Sequence, residues 1–127
     1  MVKHIITAML LIIAFIHLVP LMGVLGVDRL QSLYGEPITS NTMEILMRHR
    51  AVLFGIVGTF FAYAAFTPAY QPLAFVAAFA TMAPFFYLAF SVGNYNEAIQ
   101  KIVTGDVIAS IALVIAVGLY YFGPTQA

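Results

Sequence analysis

The chain has 127 residues, a formal net charge of zero at pH 7, and a composition that is 63% hydrophobic and only 8% charged. A soluble globular domain is about 45–50% apolar and about 25% charged, so too few charges are present to cover the surface of a soluble protein of this size. Five Lys and Arg balance five Asp and Glu, which argues against nucleic acid as a partner. The lack of cysteine excludes disulfides, thiolate metal sites and cysteine nucleophiles.

Four segments have the character of transmembrane helices, which need about 20 mainly apolar residues. No segment alternates strictly between apolar and polar residues, and backbone groups in hydrocarbon must be satisfied within their own segment, so we expect helices. The sequence therefore predicts an all-α integral membrane four-helix bundle, with residues 1–127 as a single domain. The predicted spans are Ile5 to Val27, Ala51 to Phe66 with a polar lead-in from Met43, Leu73 to Val92, and Ile102 to Phe122.

The segments between the spans predict where the helices begin and end. Asp28 to Tyr34 predicts a short interfacial helix between spans one and two, ended by Gly35. Asn41 lies three residues before Glu44, which is the spacing of a capping box and predicts the start of the second long helix. Short turns are predicted at residues 67–72 and 93–96.

Asp106 lies about one turn inside the apolar stretch of the fourth span, where an ionised group costs about 2.5–3.5 kcal/mol. Glu97 and Lys101 are four residues apart on nearly the opposite face, so we expect them to form an ion pair with each other. Asp106 then has no partner on its own helix. Three interpretations stay open: a bond that locks the bundle, a ligand or proton site, and a side chain that extends to the headgroups.

Arg48, His49 and Arg50 lie at the start of the second long helix and point in three directions around it. Arg48 follows Glu44 by four residues, so this pair is expected to form an ion pair at the interface. Arg50 is about 200° away from Arg48 and faces either lipid headgroups or the bundle interior. Headgroup phosphates can explain one arginine but not all three residues, which makes the three of them candidates for a ligand site.

His17 lies near the middle of the first span, with Pro20 one turn later. A lone histidine on an apolar helix is more often bonded to a neighbouring helix than to a ligand, although its titration range also suits a proton relay. His4 is about 20 Å from His17 along one helix, so we expect no three-histidine metal site within one subunit. Phe85, Phe86 and Tyr87, next to Pro84, are further candidates to line a cavity.

The pattern of these residues resembles the DoxX-like proteins, small four-span proteins of the bacterial inner membrane. The resemblance rests on His17 with Pro20, on Leu33-Tyr34-Gly35, on Met47-Arg48-His49-Arg50-Ala51-Val52-Leu53-Phe54-Gly55, and on Asn94-Tyr95-Asn96. It implies a four-helix fold in a bacterial cytoplasmic membrane. Characterised DoxX-like proteins are associated with quinone-linked oxidoreductase complexes, but no motif in this chain carries over an activity or identifies a cofactor.

The charged residues together predict a polar pocket inside the membrane, near one leaflet, lined by His17, Arg48 or Arg50, His49 and Asp106. We expect the pocket to bind an amphipathic or apolar ligand such as a lipid or quinone, and the chain to act as an accessory subunit. Membrane lipids, a second copy of the chain or a larger membrane complex are the expected partners. Two alternatives stay open: a membrane enzyme that uses Asp106 or His17 as an acid or base, and a proton-coupled transporter.

Overall fold

The structure is a computed structural model that describes residues 1–124. Within this range the chain forms five α-helices and two short 3₁₀ segments, and it contains no strand. The elements are α1 (Val2–Leu18), a 3₁₀ segment (Val19–Leu25), α2 (Val27–Tyr34), α3 (Asn41–Ala65), a second 3₁₀ segment (Pro68–Tyr70), α4 (Gln71–Val92) and α5 (Glu97–Phe122). Four of these units are long and apolar enough to cross a membrane: α1 with its 3₁₀ extension, α3, α4 with the turn before it, and α5.

Two of the long helices begin earlier in the chain than their apolar stretches do. The hydroxyl of Ser40 accepts from the backbone N–H of Met43 at 3.0 Å, so α3 already starts at Asn41. Asn96 caps α5 in the same way by accepting from the N–H of Ile99. The predicted capping box at Asn41 is therefore wrong, because the residue before it has the extended backbone and the side-chain bond that define an N-cap.

The short helix α2 occurs where the sequence predicts it. It ends at Gly35, whose φ of 70° and ψ of 19° place it in the left-handed region that glycine adopts without a steric penalty. Leu30 and Tyr34 on one face of α2 are buried and form a small apolar cluster with Ile38. This cluster holds α2 against the end of the bundle.

The long helices alternate in direction. The hydroxyl of Thr7, near the start of α1, lies 2.7 Å from the carbonyl oxygen of Ala65 at the end of α3. The rings of Phe75 and Tyr120 are 5.5 Å apart and join the start of α4 to the end of α5. The start of α3 and the start of α5 therefore lie at the same end of the molecule, together with α2.

The core between the long helices is built mainly from small side chains around a few large ones. Its largest fully buried members are Leu10 and Ile13 of α1 and Phe61 of α3. The other buried members are Ile6, Ala14, Ala64, Ala65, Ala74, Phe75, Ala78, Met82, Ala109, Ala112 and Ala116. Alanine on α3, α4 and α5 lets the helix backbones approach closely, as small residues do in membrane bundles.

Two glycines of α3 set the distance between α3 and the first span. A Cβ atom on Gly58 would lie 2.8 Å from Cγ of Leu18 and 3.2 Å from the carbonyl oxygen of Ala14. A Cβ atom on Gly55 would lie 2.6 Å from a methyl group of Leu21. A larger residue at Gly58 would press against the backbone of α1 as well as Leu18, whereas at Gly55 only the end of the Leu21 side chain would have to move.

Candidate functional site

A cavity of about 510 Å³ lies at the end of the bundle where α3 and α5 begin, and all five helices contribute to its wall. The wall is largely apolar, and its apolar members include Ile16, Val19, Pro20, Leu33, Phe54, Phe85 and Ile102. Its polar and charged members are His17, Ser32, Tyr34, Arg50, Thr81, Glu97, Lys101 and Asp106. The cavity thus contains three of the predicted site residues, His17, Arg50 and Asp106, each from a different helix.

Arg50 lies on this wall with its guanidinium between two aromatic rings. Its central carbon is 4.6 Å from the ring centroid of Phe54 and 5.2 Å from that of Tyr34. It also donates a hydrogen bond to the phenolic oxygen of Tyr34. A cation over aromatic faces is attracted by the ring quadrupoles, so these contacts hold a half-buried positive charge in a fixed position beside the cavity.

Tyr34 completes this arrangement from α2. Burial raises the pKa of Tyr34 above its ordinary value, and the positive charge of Arg50 opposes part of that rise. The phenol is therefore neutral at physiological pH and keeps its proton. Since the phenolic oxygen accepts from Arg50, and no acceptor for its own proton exists among the described residues, that proton is available to a ligand.

Asn96 fixes the position of Tyr34 from the opposite side. Its side-chain amide donates to the backbone carbonyl of Tyr34 at 2.9 Å and to the carboxylate of Glu36 at 3.1 Å. Its carbonyl oxygen caps α5 through the N–H of Ile99. One side chain thus starts α5 and ties α2 to it.

Asp106 is half-buried on α5 and faces the same cavity. Its carboxylate has no hydrogen bond and no ion pair with any residue in the described range 1–124. Arg50 is near enough to attract it electrostatically but does not touch it. The structure therefore contains no bond from Asp106 that locks the bundle. Its carboxylate faces the cavity and is accessible to a ligand there.

His17 is buried, and both of its ring nitrogens are engaged by the protein. Nδ1 lies 2.9 Å from the carbonyl oxygen of Ile13 and must donate to it, because a carbonyl only accepts. Nε2 lies 2.9 Å from the hydroxyl of Thr81 on α4, and the ring packs edge-on against Phe61 at 4.9 Å. His17 therefore links α1 to α4, as the first of its two interpretations expects, and forms part of the cavity wall.

Arg48 and His49 lie outside this cavity. Arg48 forms an ion pair with Glu44 at 3.0 Å and donates from Nε to the carbonyl oxygen of Val24 at 3.1 Å. His49 is exposed. The reason is helical geometry: Arg48 and Arg50 flank the buried face of α3 on opposite sides, and the cavity lies on the side of Arg50 and Phe54.

The predicted ion pair between Glu97 and Lys101 does not form in the described structure. Both side chains are exposed and line the mouth of the cavity instead. An exposed pair four residues apart contributes only about 0.3–0.5 kcal/mol, which does not compensate for ordering two long side chains. The cavity therefore has four charged groups on its wall, two of each sign, none of which is neutralised by an ion pair within residues 1–124.

Sequence analysis did not identify Tyr34, Ser32 or Thr81 as site residues. The first two belong to α2, whose position depends on contacts made far along the chain, at Arg50 and Asn96. One feature of the sequence could have indicated Tyr34: it is an aromatic residue with a hydroxyl at the end of a short amphipathic helix. Among residues 1–124 no group of three His, Cys, Asp or Glu side chains lies close enough together to hold a metal ion.

Comparison of the chain with protein-family models, with characterised proteins and with solved structures finds no match. The resemblance to DoxX-like proteins therefore rests on sequence motifs alone.

Proposed function

We propose that the chain is a multi-pass integral protein of a bacterial cytoplasmic membrane, with its four long helices as the transmembrane bundle. Support comes from the outward-facing surface, on which large apolar side chains are exposed along all four helices. Examples are Phe15 at 68%, Phe79 at 66% and Val114 at 72% exposure. Such a surface is unfavourable in water but matches lipid chains. The bacterial cytoplasmic membrane is the location that the DoxX-like motifs imply.

The proposed function is the binding of an amphipathic or apolar ligand, a lipid or quinone, in the cavity beside Arg50. The observation that carries this proposal is the arrangement of the polar groups. An arginine held by two rings, an unshared phenol proton on Tyr34 and an unpartnered carboxylate on Asp106 face one largely apolar cavity. Ligand sites typically combine apolar walls of this size, about 300–1,000 Å³, with a few polar groups that converge.

The experiment compares two arginines two residues apart. The chain is extracted in a mild detergent and examined by native mass spectrometry as wild type, Arg50→Gln and Arg48→Gln. We expect a lipid or quinone to remain bound to the wild type and to Arg48→Gln, whose arginine lies outside the cavity. Loss of a hydrogen bond from a charged group, about 1.5–3 kcal/mol, should lower retention at least tenfold in Arg50→Gln.

Equal retention in all three proteins would contradict binding in this cavity. The same spectra report the copy number of the chain, and so test the proposed homo-oligomer or larger complex directly. A double-mutant cycle with Arg50→Gln, Asp106→Asn and the double variant gives a second test. If both residues hold the same ligand, the loss of ligand retention in the double variant differs from the sum of the two single losses.

The free carboxylate of Asp106 favours one second candidate, a membrane enzyme that uses it as an acid or base on a lipid-soluble substrate. His17 is less suited to this role because both of its nitrogens are bonded within the protein. If the chain is an enzyme, Asp106→Asn should hold unconverted substrate, whose mass differs from that of the molecule bound to the wild type. A binding protein should hold the same species at lower occupancy.

A further inference from the structure

The charges on the cavity wall identify a class of ligand, and this inference rests on the proposed function. Arg50 and Asp106 face the same space from α3 and α5, attract each other, and yet form no contact. Glu97 and Lys101, both exposed, also line the cavity. A purely anionic ligand would leave Asp106 uncompensated, and a purely cationic one would leave Arg50 uncompensated. A ligand that carries both signs compensates both half-buried groups.

We infer that the ligand is a zwitterionic phospholipid with a primary-amine headgroup, whose phosphate lies on Arg50 and whose ammonium group lies on Asp106. The guanidinium presents several N–H donors to phosphate oxygens, which is the pairing that arginine favours. The proton of Tyr34 adds a further donor at the same place. The apolar wall accepts the part of the lipid next to the headgroup.

The choice of a primary amine over a trimethylammonium group follows from the same geometry. Quaternary ammonium groups are recognised by the faces of aromatic rings, but here Arg50 occupies that position over both Tyr34 and Phe54. What remains for the cationic end of the ligand is a carboxylate, which accepts hydrogen bonds. An ammonium group with three N–H donors can supply them, and a trimethylated group has none.

The depth of the groups along α5 agrees with a headgroup that enters from the mouth. Asp106 lies five residues beyond Lys101, which is about 7.5 Å further along the helix axis. Lys101 lies on the same wall, nearer the start of α5, and provides a second cation for the phosphate. Ser32 of α2 borders the same cavity.

The test places the delipidated chain in nanodiscs of equimolar phosphatidylethanolamine and phosphatidylcholine with identical acyl chains. Native mass spectrometry then gives the ratio of the two lipids that stay bound. We expect about a tenfold preference for phosphatidylethanolamine, equivalent to ~1.4 kcal/mol. A series of headgroups with one, two and three N-methyl groups should bind progressively less, and this series needs no variant of the protein.

Two matched variants locate the effect. Asp106→Asn should bring the ratio close to one while lipid is still retained through Arg50. Asp28→Asn, which changes an exposed carboxylate of α2 outside the cavity wall, should leave the ratio unchanged. The helical circular dichroism of both variants is measured to confirm that they are folded.

Each other outcome has a definite meaning. Equal binding of both phospholipids, or a preference that survives Asp106→Asn, overturns the inference about the headgroup and leaves the proposed function standing if retention depends on Arg50. A quinone in place of a phospholipid on the chain extracted from membranes also overturns the inference about the headgroup and leaves the proposed function standing. If no bound lipid or quinone depends on Arg50, the proposed function fails as well.

Discussion

The guanidinium of Arg50 lies over the ring of Tyr34, 5.2 Å from its centroid, and donates a hydrogen bond to its phenolic oxygen. This contact joins α2 to α3, while the backbone carbonyl of Tyr34 accepts from Asn96 next to α5. Three helices therefore meet at one tyrosine on the cavity wall. The position of α2 over the cavity depends on these bonds and on the small apolar cluster around Leu30.

Replacement of Tyr34 by Phe keeps the ring and removes the oxygen that accepts from Arg50. A hydrogen bond to a charged group contributes about 1.5–3 kcal/mol, so α2 should open more often. We expect amide hydrogen exchange in α2 to rise by at least tenfold, measured by mass spectrometry on peptides from residues 27–34. Tyr87→Phe, at a site that is 71% exposed, is the control and should not alter exchange in α2. Unchanged exchange in Tyr34→Phe would show that the apolar cluster alone holds the helix.

The titration of Tyr34 predicts a loss of stability at alkaline pH. Its pKa is raised by burial above the ordinary value of 10.0, so the folded chain holds the phenol proton more tightly than the unfolded chain does. This contribution is fully present below pH 10 and is lost as the pH rises through the folded-state pKa. The midpoint of thermal unfolding should therefore fall above about pH 10 in the wild type and fall less steeply in Tyr34→Phe. Parallel pH profiles for the two proteins would contradict this assignment.

The bond between His17 and Thr81 predicts a specific effect on the contact between α1 and α4. Thr81→Val preserves shape and removes the hydroxyl 2.9 Å from Nε2, and interhelical bonds of this kind contribute about 0.6–1.7 kcal/mol. We expect a loss of stability in that range and a shift of the imidazole ¹⁵N resonances, with both effects reversed by Thr81→Ser. Thr59→Val is the control, because the hydroxyl of Thr59 bonds only within its own helix, to Gly55. An unshifted imidazole spectrum in Thr81→Val would rule out the bond.

Two glycines provide a matched test of helix packing. A Cβ atom on Gly58 would meet Leu18 at 2.8 Å, whereas a Cβ atom on Gly118 would meet nothing within 4 Å. Gly58→Ala should destabilise the bundle by about 1–3 kcal/mol, as overpacking does. Gly118→Ala should be neutral or stabilising by up to about 1 kcal/mol, because alanine favours the helix. Unfolding in increasing dodecyl sulfate measures both, and equal effects at the two positions would contradict the described contact.

The four long helices could be predicted from the sequence because hydrocarbon leaves an apolar chain few other ways to satisfy its backbone. The start of α3 could be predicted to within one residue from the spacing of Asn41 and Glu44, whereas the start of α5 could not. Polar residues from Asn41 to Arg50 and from Glu97 to Lys101 continue the helices outward, and hydropathy does not detect them. The structure shows that the caps at Ser40 and Asn96 decide where these helices begin.

The candidate site could be predicted in part. Helical geometry indicates that Arg48 and Arg50 face different ways, but not which of them faces inward. That choice depends on which side of α3 the cavity lies, and the cavity is formed by residues of the other four helices. The contribution of Tyr34 depends on contacts with residues 16 and 62 positions further along the chain, which no local pattern contains.

The tie from Asn96 to Tyr34 has a consequence for biogenesis. During translation α5 follows the other long helices, so a nascent chain that ends before α5 contains Arg50 but neither Asp106 nor the amide of Asn96 that holds α2. The wall of the cavity is thus completed only when the final helix is made, and until then α2 is held by Arg50 and its apolar cluster alone.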